Sequence, residues 1–185
     1  LGSPLIYKDI KNSVAKSINF ITSHDGFTLI DLLSFNKKHN LSNGENNRDG
    51  ENHNNSWNHG IEGPSTKESI NNIRKRQQRN LLSSLLLSPG IPMLLMGDEV
   101  GRSQGGNNNS WCQNTPLGWM IWDVDTCDNE LKSFLKKIIR IRKELSGLLS
   151  PETTPLTEPS LPYNSQEIWI QWHGVKVNSP DWSSW

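Results

Sequence analysis

The sequence predicts an α/β fold built on parallel strands, with the chain forming one part of a larger sheet or barrel. Two short apolar segments are predicted to be buried strands: residues 17–23 are short and β-branched, and residues 91–96 lack the alternation of a half-exposed strand. Each segment ends in charged residues and a long loop, and a helical pattern follows each. Because two strands leave both edges of a sheet open, and a barrel of this type needs eight, further strands are expected outside this chain.

The first unit consists of a strand, a helix and a long loop. The strand, SINFITS, stops at His24-Asp25-Gly26, and residues 27–35 (FTLIDLLSF) carry apolar side chains at helical spacing. Residues 37–64 are rich in Asn, Gly and Asp and show no periodicity. A structureless stretch longer than about 12–15 residues is usually functional or disordered. We therefore expect this loop to shape a site beside the strand end.

The second unit begins with a helix expected over residues 65–88. Ser65 and Glu68 have the spacing of a capping box, and Pro89-Gly90 ends the pattern. The basic residues of its first half are expected to form a solvated face: Arg74, Lys75, Arg76 and Arg79. The strand over residues 91–96 follows, and then a second Gly- and Asn-rich loop.

A third predicted helix is followed by a change in composition and periodicity near the end of the chain. Asp128 is the expected cap of a helix with an apolar face formed by Leu131, Phe134, Leu135, Ile138 and Ile139. Residues 151–162 are rich in Pro, Thr and Ser, and residues 167–177 alternate polar and apolar side chains. We therefore assign residues 1–150 to the barrel, and residues 151–185 to a linker and the start of an all-β domain.

Composition narrows the function. The 19 basic and 19 acidic residues balance, which gives no indication of nucleic acid as a partner, and no apolar run approaches the roughly 20 residues that span a bilayer. The two cysteines, Cys112 and Cys127, make neither a disulfide framework nor a metal-binding set. Eight tryptophans beside Asn-rich loops suit a sugar, which has apolar faces and a rim of hydroxyls, although core packing also explains tryptophan.

His24 and Asp25 are the main candidates for chemistry. They stand where a buried strand meets its loop, which is the active-site end of a parallel barrel. An imidazole and a carboxylate side by side can bind two adjacent sugar hydroxyls, and such bonds strengthen as the ring approaches an oxocarbenium ion. The alternative is that Asp25 only caps the helix that follows.

The other acidic clusters are expected to be structural. Asp98 and Glu99 follow the second strand, where one of them can reach Arg102. Adjacent strand residues point to opposite faces, so this pair cannot flank one glycosidic bond. Residues 45–50 imitate the start of an EF-hand, but the twelfth position is Ser56, where a glutamate is required. No cofactor or metal is expected, and a looser calcium site is left open.

Several ordered segments resemble one known family. SINFITSHDGFTL (residues 17–29) is similar to the seventh-strand motif of the α-amylase superfamily, glycoside hydrolase family 13. HDGFTL, NGENNRDG, NNSWNHGIEGP and IPMLLMGDEVGRSQGGNNNSWCQ resemble the isoamylase and bacterial glycogen-debranching branch. WHGVKVNSPDWS (residues 172–183) is similar to the start of that branch's C-terminal β domain. Together, these matches cover nearly the whole chain.

The resemblance implies strands seven and eight of a (β/α)8 TIM barrel that hydrolyses α-1,6 branch linkages of glycogen or starch with retention of configuration. In the family, the nucleophile and general acid, about 5–5.5 Å apart, lie on strands four and five, so this chain is expected to be an inactive fragment. Asp25 matches the carboxylate that stabilises the transition state, and His24 matches the histidine that binds the sugar.

The resemblance also suggests partners and leaves alternatives open. Trp57, Asn107 and Asn108 lie in loops that would wall the cleft and are candidate substrate contacts. A branched α-glucan is the expected partner, in the cytoplasm or in a plastid of a plant or alga. The alternatives are a non-catalytic glucan-binding protein, an α-1,4 amylase and a glycosyltrehalose hydrolase.

Overall fold

The computed structural model describes residues 17–122 and 128–145. Its elements, in chain order, are β1 (Ile18–Asn19), α1 (Leu29–Leu32), α2 (Glu68–Leu86), β2 (Ile91–Pro92) and α3 (Asn129–Glu144). The two strands pair in parallel, with Ile18 opposite Ile91 and Asn19 opposite Pro92. Parallel pairing of the two predicted strands is therefore confirmed, although both are shorter than predicted. The predicted β domain and its boundary at residue 150 lie outside the described residues.

Local sequence explains where the helices begin and end. Asp128 caps α3 as predicted, since its side chain accepts a hydrogen bond from the Leu131 backbone N–H at 2.9 Å. The predicted start of α2 is wrong: Lys67 is the cap, and Ser65 Oγ accepts from the Lys67 backbone N–H at 3.1 Å in the turn before the helix. None of the helices in the described ranges combines the length and apolar character needed to cross a bilayer.

The apolar core lies between the sheet and the two long helices. Its buried members come from all three helices: Leu29, Leu82, Leu86, Leu131, Leu135 and Ile138. Ile18, Phe20 and Ile91 are 58%, 55% and 50% exposed in the described residues, so burial of the two strands stays a prediction for a protein that contains the neighbouring strands. Ile21 and Leu94, which follow the two strands, are partly buried and pack against this core.

Arg74 ties α2 to the end of the long loop. Its guanidinium donates to the backbone carbonyls of Gly63, Asn58 and Ile61 at 2.7, 2.8 and 2.5 Å. Arg74 is therefore buried, and the predicted solvated basic face does not include it. Sequence reasoning failed here because a guanidinium can leave water when several carbonyls accept from it.

Candidate active site

The candidate site lies where the chain leaves β1. Residues 23–28 form a loop before α1, whose cap is Thr28: its Oγ1 accepts a hydrogen bond from the Asp31 backbone N–H at 3.3 Å. The alternative that Asp25 caps this helix is therefore wrong. The His24 and Asp25 side chains are 87% and 80% exposed, with Nε2 3.3 Å from Oδ2. An imidazole and a carboxylate thus stand side by side in solvent, where a ligand can reach both.

Asp98 holds both ends of this loop. It is 1% exposed; one carboxylate oxygen accepts from the Thr22 hydroxyl, and the other accepts from the Leu29 backbone N–H at 2.9 Å. Burial raises the pKa of Asp98 to about 6, the two hydrogen bonds oppose that rise, and the nearby carboxylates Glu99 and Asp31 add to it. The structural role predicted for Asp98 is confirmed, with the two ends of the loop of residues 23–28 as its partners.

The prediction that Asp98 or Glu99 pairs with Arg102 is wrong. Arg102 donates to the backbone carbonyls of Gly118 and Trp119 at 2.9 and 3.3 Å. Glu99 accepts from the Gly97 backbone N–H at 2.7 Å. Gly97 has φ of 102°, and a Cβ there would lie 2.6 Å from Arg102 Cδ. The Arg102 stem therefore packs on the turn itself and carries the guanidinium past the two acids.

A second buried carboxylate, Asp31, joins α1 to the same segment. Ser103 Oγ donates to Asp31 Oδ1 at 2.5 Å, and the Gln104 backbone N–H donates to Oδ2 at 2.7 Å. Burial raises the pKa of Asp31, and these hydrogen bonds counteract the rise. Asp31 and Asp98 together fix α1 and its preceding loop against residues 98–104.

Asn107 and Asn108 join the two long loops. Both are buried, and Asn108 donates to Asn54 Oδ1 at 2.7 Å while accepting from Asn40 Nδ2 at 2.8 Å. Asn107 donates to Asn43 Oδ1 at 2.8 Å. Direct contact of these two amides with a sugar stays a prediction, and it would require this network to open. The geometry gives both residues a further task, which is to lock the two loops together.

Lys38 organises the turn that resembles a calcium loop. Its buried ammonium donates to the backbone carbonyls of Arg48, Asp49 and Gly50 at 3.2, 2.7 and 3.2 Å. Carbonyl oxygens of this kind are calcium ligands, but here a fixed positive charge already faces them. Within the described ranges, no cluster of three His, Cys, Asp or Glu side chains suits a metal ion. The possible calcium site stays a prediction.

Trp57 presents an open aromatic face. It is 64% exposed, and its ring lies 4.5 Å from the buried imidazole of His59, centroid to centroid, at an interplanar angle of 33°. The Trp57 backbone N–H donates to the Leu32 carbonyl at 3.0 Å, which fixes the loop beside α1. Burial and the charge of Arg74 lower the pKa of His59, which favours the neutral form of the ring that lies against Trp57. The other indole face is free to stack on a sugar.

Sequence reasoning missed three residues that build the site: Thr22, Lys38 and Asn40. Lys38 and Asn40 carry no local signal, because their partners lie between 9 and 68 residues further along the chain. Thr22 carries no local signal either, because its partner Asp98 lies 76 residues further along the chain. A cleft of about 630 Å³ also opens between α1 and α2; Asp31, Asn71 and Arg74 are among its lining residues, which do not include His24 or Asp25.

Comparison with known proteins places the chain among polysaccharide-debranching proteins. It is 43% identical over 98% of its length to isoamylase SU1, a chloroplastic protein of Zea mays. It is 52% identical over 71% of its length to a glycogen debranching enzyme of Dickeya chrysanthemi, and 49% identical over 77% of its length to a glycogen operon protein GlgX homolog of Mycobacterium bovis. A scan against profiles of protein families finds no match.

The chain covers 22%, 20% and 20% of the lengths of these three relatives, which is about one fifth. Its identity to them over the matched residues is nevertheless 43–52%. The chain belongs to the isoamylase-type family of debranching enzymes.

Proposed function

We propose that this chain is the part of a (β/α)8 glucan-debranching hydrolase that contains strands seven and eight, followed by the start of a β domain at residue 151. The parallel pairing of β1 with β2 supports this placement. The exposed apolar side chains of Ile18, Phe20 and Ile91 support it as well, since further strands and helices would cover them. The complete protein would then contain the remaining strands of the barrel.

The carrying observation is the exposed His24–Asp25 pair on a loop that buried side chains hold at the end of β1. In a parallel barrel, this strand end opens into the active site. The Asp25 carboxylate would stabilise the positive charge that develops on the sugar, and His24 would donate to a neighbouring hydroxyl. Retention of configuration requires a nucleophile and a general acid, which the complete enzyme would supply from strands outside this chain.

The substrate we propose is a branched α-glucan, such as glycogen or amylopectin, cleaved at its α-1,6 linkages. The relatives that carry isoamylase and glycogen-debranching names support this choice. Trp57 would stack on a glucose ring near the branch, and Asn107 and Asn108 would hold the cleft wall or contact the sugar. The cytoplasm, or a plastid in a plant or alga, is the proposed compartment.

Asp25→Asn in the complete protein tests this proposal. The amide keeps the shape of the carboxylate but loses its charge, so kcat for release of linear chains from amylopectin should fall on the order of 100-fold or more. His24→Ala should have a milder effect, because it removes a hydrogen bond and not a charge. Glu45→Gln is the matched control, since Glu45 is another exposed loop carboxylate, paired with Arg48 at 3.8 Å.

Near-normal turnover in both site variants would remove His24 and Asp25 from the active site. A complete protein that binds amylopectin but does not cleave it would favour the non-catalytic glucan-binding alternative. Release of short α-1,4 fragments, without linear chains from branch points, would favour an amylase. The 185-residue chain alone should release no reducing ends from glycogen, because one carboxylate cannot serve as both nucleophile and acid.

A further inference from the structure

We propose that Asp98 is a positioning residue, which holds the backbone of residues 23–28 so that His24 and Asp25 stand at a fixed place in the cleft. The inference rests on the proposed catalytic role of His24 and Asp25. Asp98, the buried acid that follows the second strand, would thus fix the loop that follows the first strand. Asp98 itself does not reach the sugar, because it is buried beneath the loop.

The placement of His24 and Asp25 must come from the backbone. Within residues 17–122 and 128–145, their side chains pair only with each other, and both are exposed. The loop has one internal brace, the hydrogen bond from Ser23 Oγ to the Asp25 carbonyl at 2.9 Å. Two exposed side chains on a six-residue loop would sample many positions unless other segments fixed the loop.

Three contacts from one segment supply that constraint. Asp98 accepts from the Thr22 hydroxyl just before the loop and from the Leu29 backbone N–H just after it. At the middle of the loop, the Gly26 backbone N–H donates to the Asn108 carbonyl at 2.9 Å. Both ends and the centre of the loop are therefore bound to residues 98–108, and Asp98 alone accounts for both ends.

The chemistry of the position requires two acceptor oxygens. One must accept from a hydroxyl and the other from a backbone N–H, in different directions, which a carboxylate can do. Burial and two neighbouring carboxylates raise the pKa of Asp98 to about 6, because they disfavour its negative charge. The two hydrogen bonds from the loop stabilise that charge. Alanine would release both ends, whereas Thr22→Val would release only the first.

The test uses the complete protein and two readouts. Hydrogen exchange of the loop amides, including that of Gly26, measures how firmly the loop is held, and kcat and KM on amylopectin measure the consequence. Asp98→Ala should speed exchange in residues 23–28 by about 10-fold or more and lower kcat by up to about 100-fold, with KM within about threefold. Thr22→Val should give a smaller change of the same kind, and Thr22→Ser should restore most of the turnover that Thr22→Val loses.

Glu99→Gln is the matched control, since Glu99 lies beside Asp98 but binds the Gly97 backbone N–H and not the loop. Unchanged exchange in residues 23–28 of both Asp98→Ala and Thr22→Val would overturn the inference. An equal rise in exchange throughout α2 and α3 would also overturn it, since the role of Asp98 would then be general stability. Faster exchange confined to the loop, with normal turnover, would confirm the clamp and refute the proposed catalytic role of His24 and Asp25.

Discussion

Replacing Lys38 with Met tests how the long loop is held. The Lys38 ammonium donates to the backbone carbonyls of Arg48, Asp49 and Gly50 at 3.2, 2.7 and 3.2 Å. Met has a side chain of similar length but no donor, so all three carbonyls lose this partner. At about 1 kcal/mol for each lost bond, since water replaces part of the interaction, local opening of the loop should become easier by roughly 3 kcal/mol.

Hydrogen exchange converts this free energy into a measurable rate. Each 1.4 kcal/mol corresponds to about a tenfold change, so amides inside the turn should exchange roughly 100-fold faster. The Asn43 and Gly44 backbone N–H groups are suitable reporters, because they donate to the Asn40 and Leu41 carbonyls at 2.9 and 3.2 Å. Amides in α3 should not change, since the loop can open while the helical core stays folded.

The neighbouring residue provides the control. Lys37 has the same charge but an exposed position, so Lys37→Met should leave exchange in the turn unchanged. Lys38→Arg should rescue only in part, because the longer, planar guanidinium differs in shape from the compact ammonium that lies between these three carbonyls. Equal exchange in Lys37→Met and Lys38→Met would refute the reasoning and leave the ammonium without a role in holding the loop.

Three further predictions follow from buried and exposed features of the site. The pKa of Asp98 is raised from 3.8 to about 6 in the folded protein. Its protonated form therefore contributes fully to the free energy of unfolding below pH 3.8, and this contribution is lost as pH rises through 6. As pH rises from 4 to 7, the free energy of unfolding of Asp98→Asn should therefore increase relative to that of wild type by on the order of 2–3 kcal/mol. A difference between the two proteins that stays constant over this pH range in denaturant titrations would contradict this. Gly50→Ala should lower the thermal midpoint more than Gly44→Ala: both glycines have positive φ, but a Cβ at Gly50 would lie 2.7 Å from Asn40 Nδ2, whereas Gly44 has open space. Trp57→Ala should lower kcat/KM on branched glucans, by an amount that corresponds to up to about 1–3 kcal/mol of transition-state free energy, and leave kcat/KM on linear glucans unchanged. An equal loss on both substrates would contradict a role for Trp57 at the branch.

Features with a local cause could be predicted from sequence. Asp128 caps α3 because a carboxylate before a helix binds the free N–H groups of its first turn, wherever the helix packs. His24 and Asp25 could be selected as candidates because they follow an apolar strand in a recognisable motif, and the structure places them side by side in solvent. The short parallel sheet followed from the same pattern.

Features that depend on distant segments could not be predicted. Asp98 binds residues 76 and 69 positions away, and nothing near it in sequence marks Thr22 or Leu29 as its partners. Arg74 resembles its solvated neighbours until the loop carbonyls converge on it. The strand pattern indicates apolar side chains but not which elements cover them, and Ile18 is exposed among the described residues.

The asparagine contacts between the two long loops also limit how such proteins can be recombined. Asn40 and Asn108 bind each other reciprocally, since Asn40 Nδ2 donates to Asn108 Oδ1 at 2.8 Å and the Asn108 backbone N–H donates to Asn40 Oδ1 at 3.0 Å. A chimera that receives residues 38–63 from a relative, without residues 104–113, would leave buried amides with mismatched partners. The two loops therefore form one unit of exchange, and attempts to transplant substrate preference should move them together.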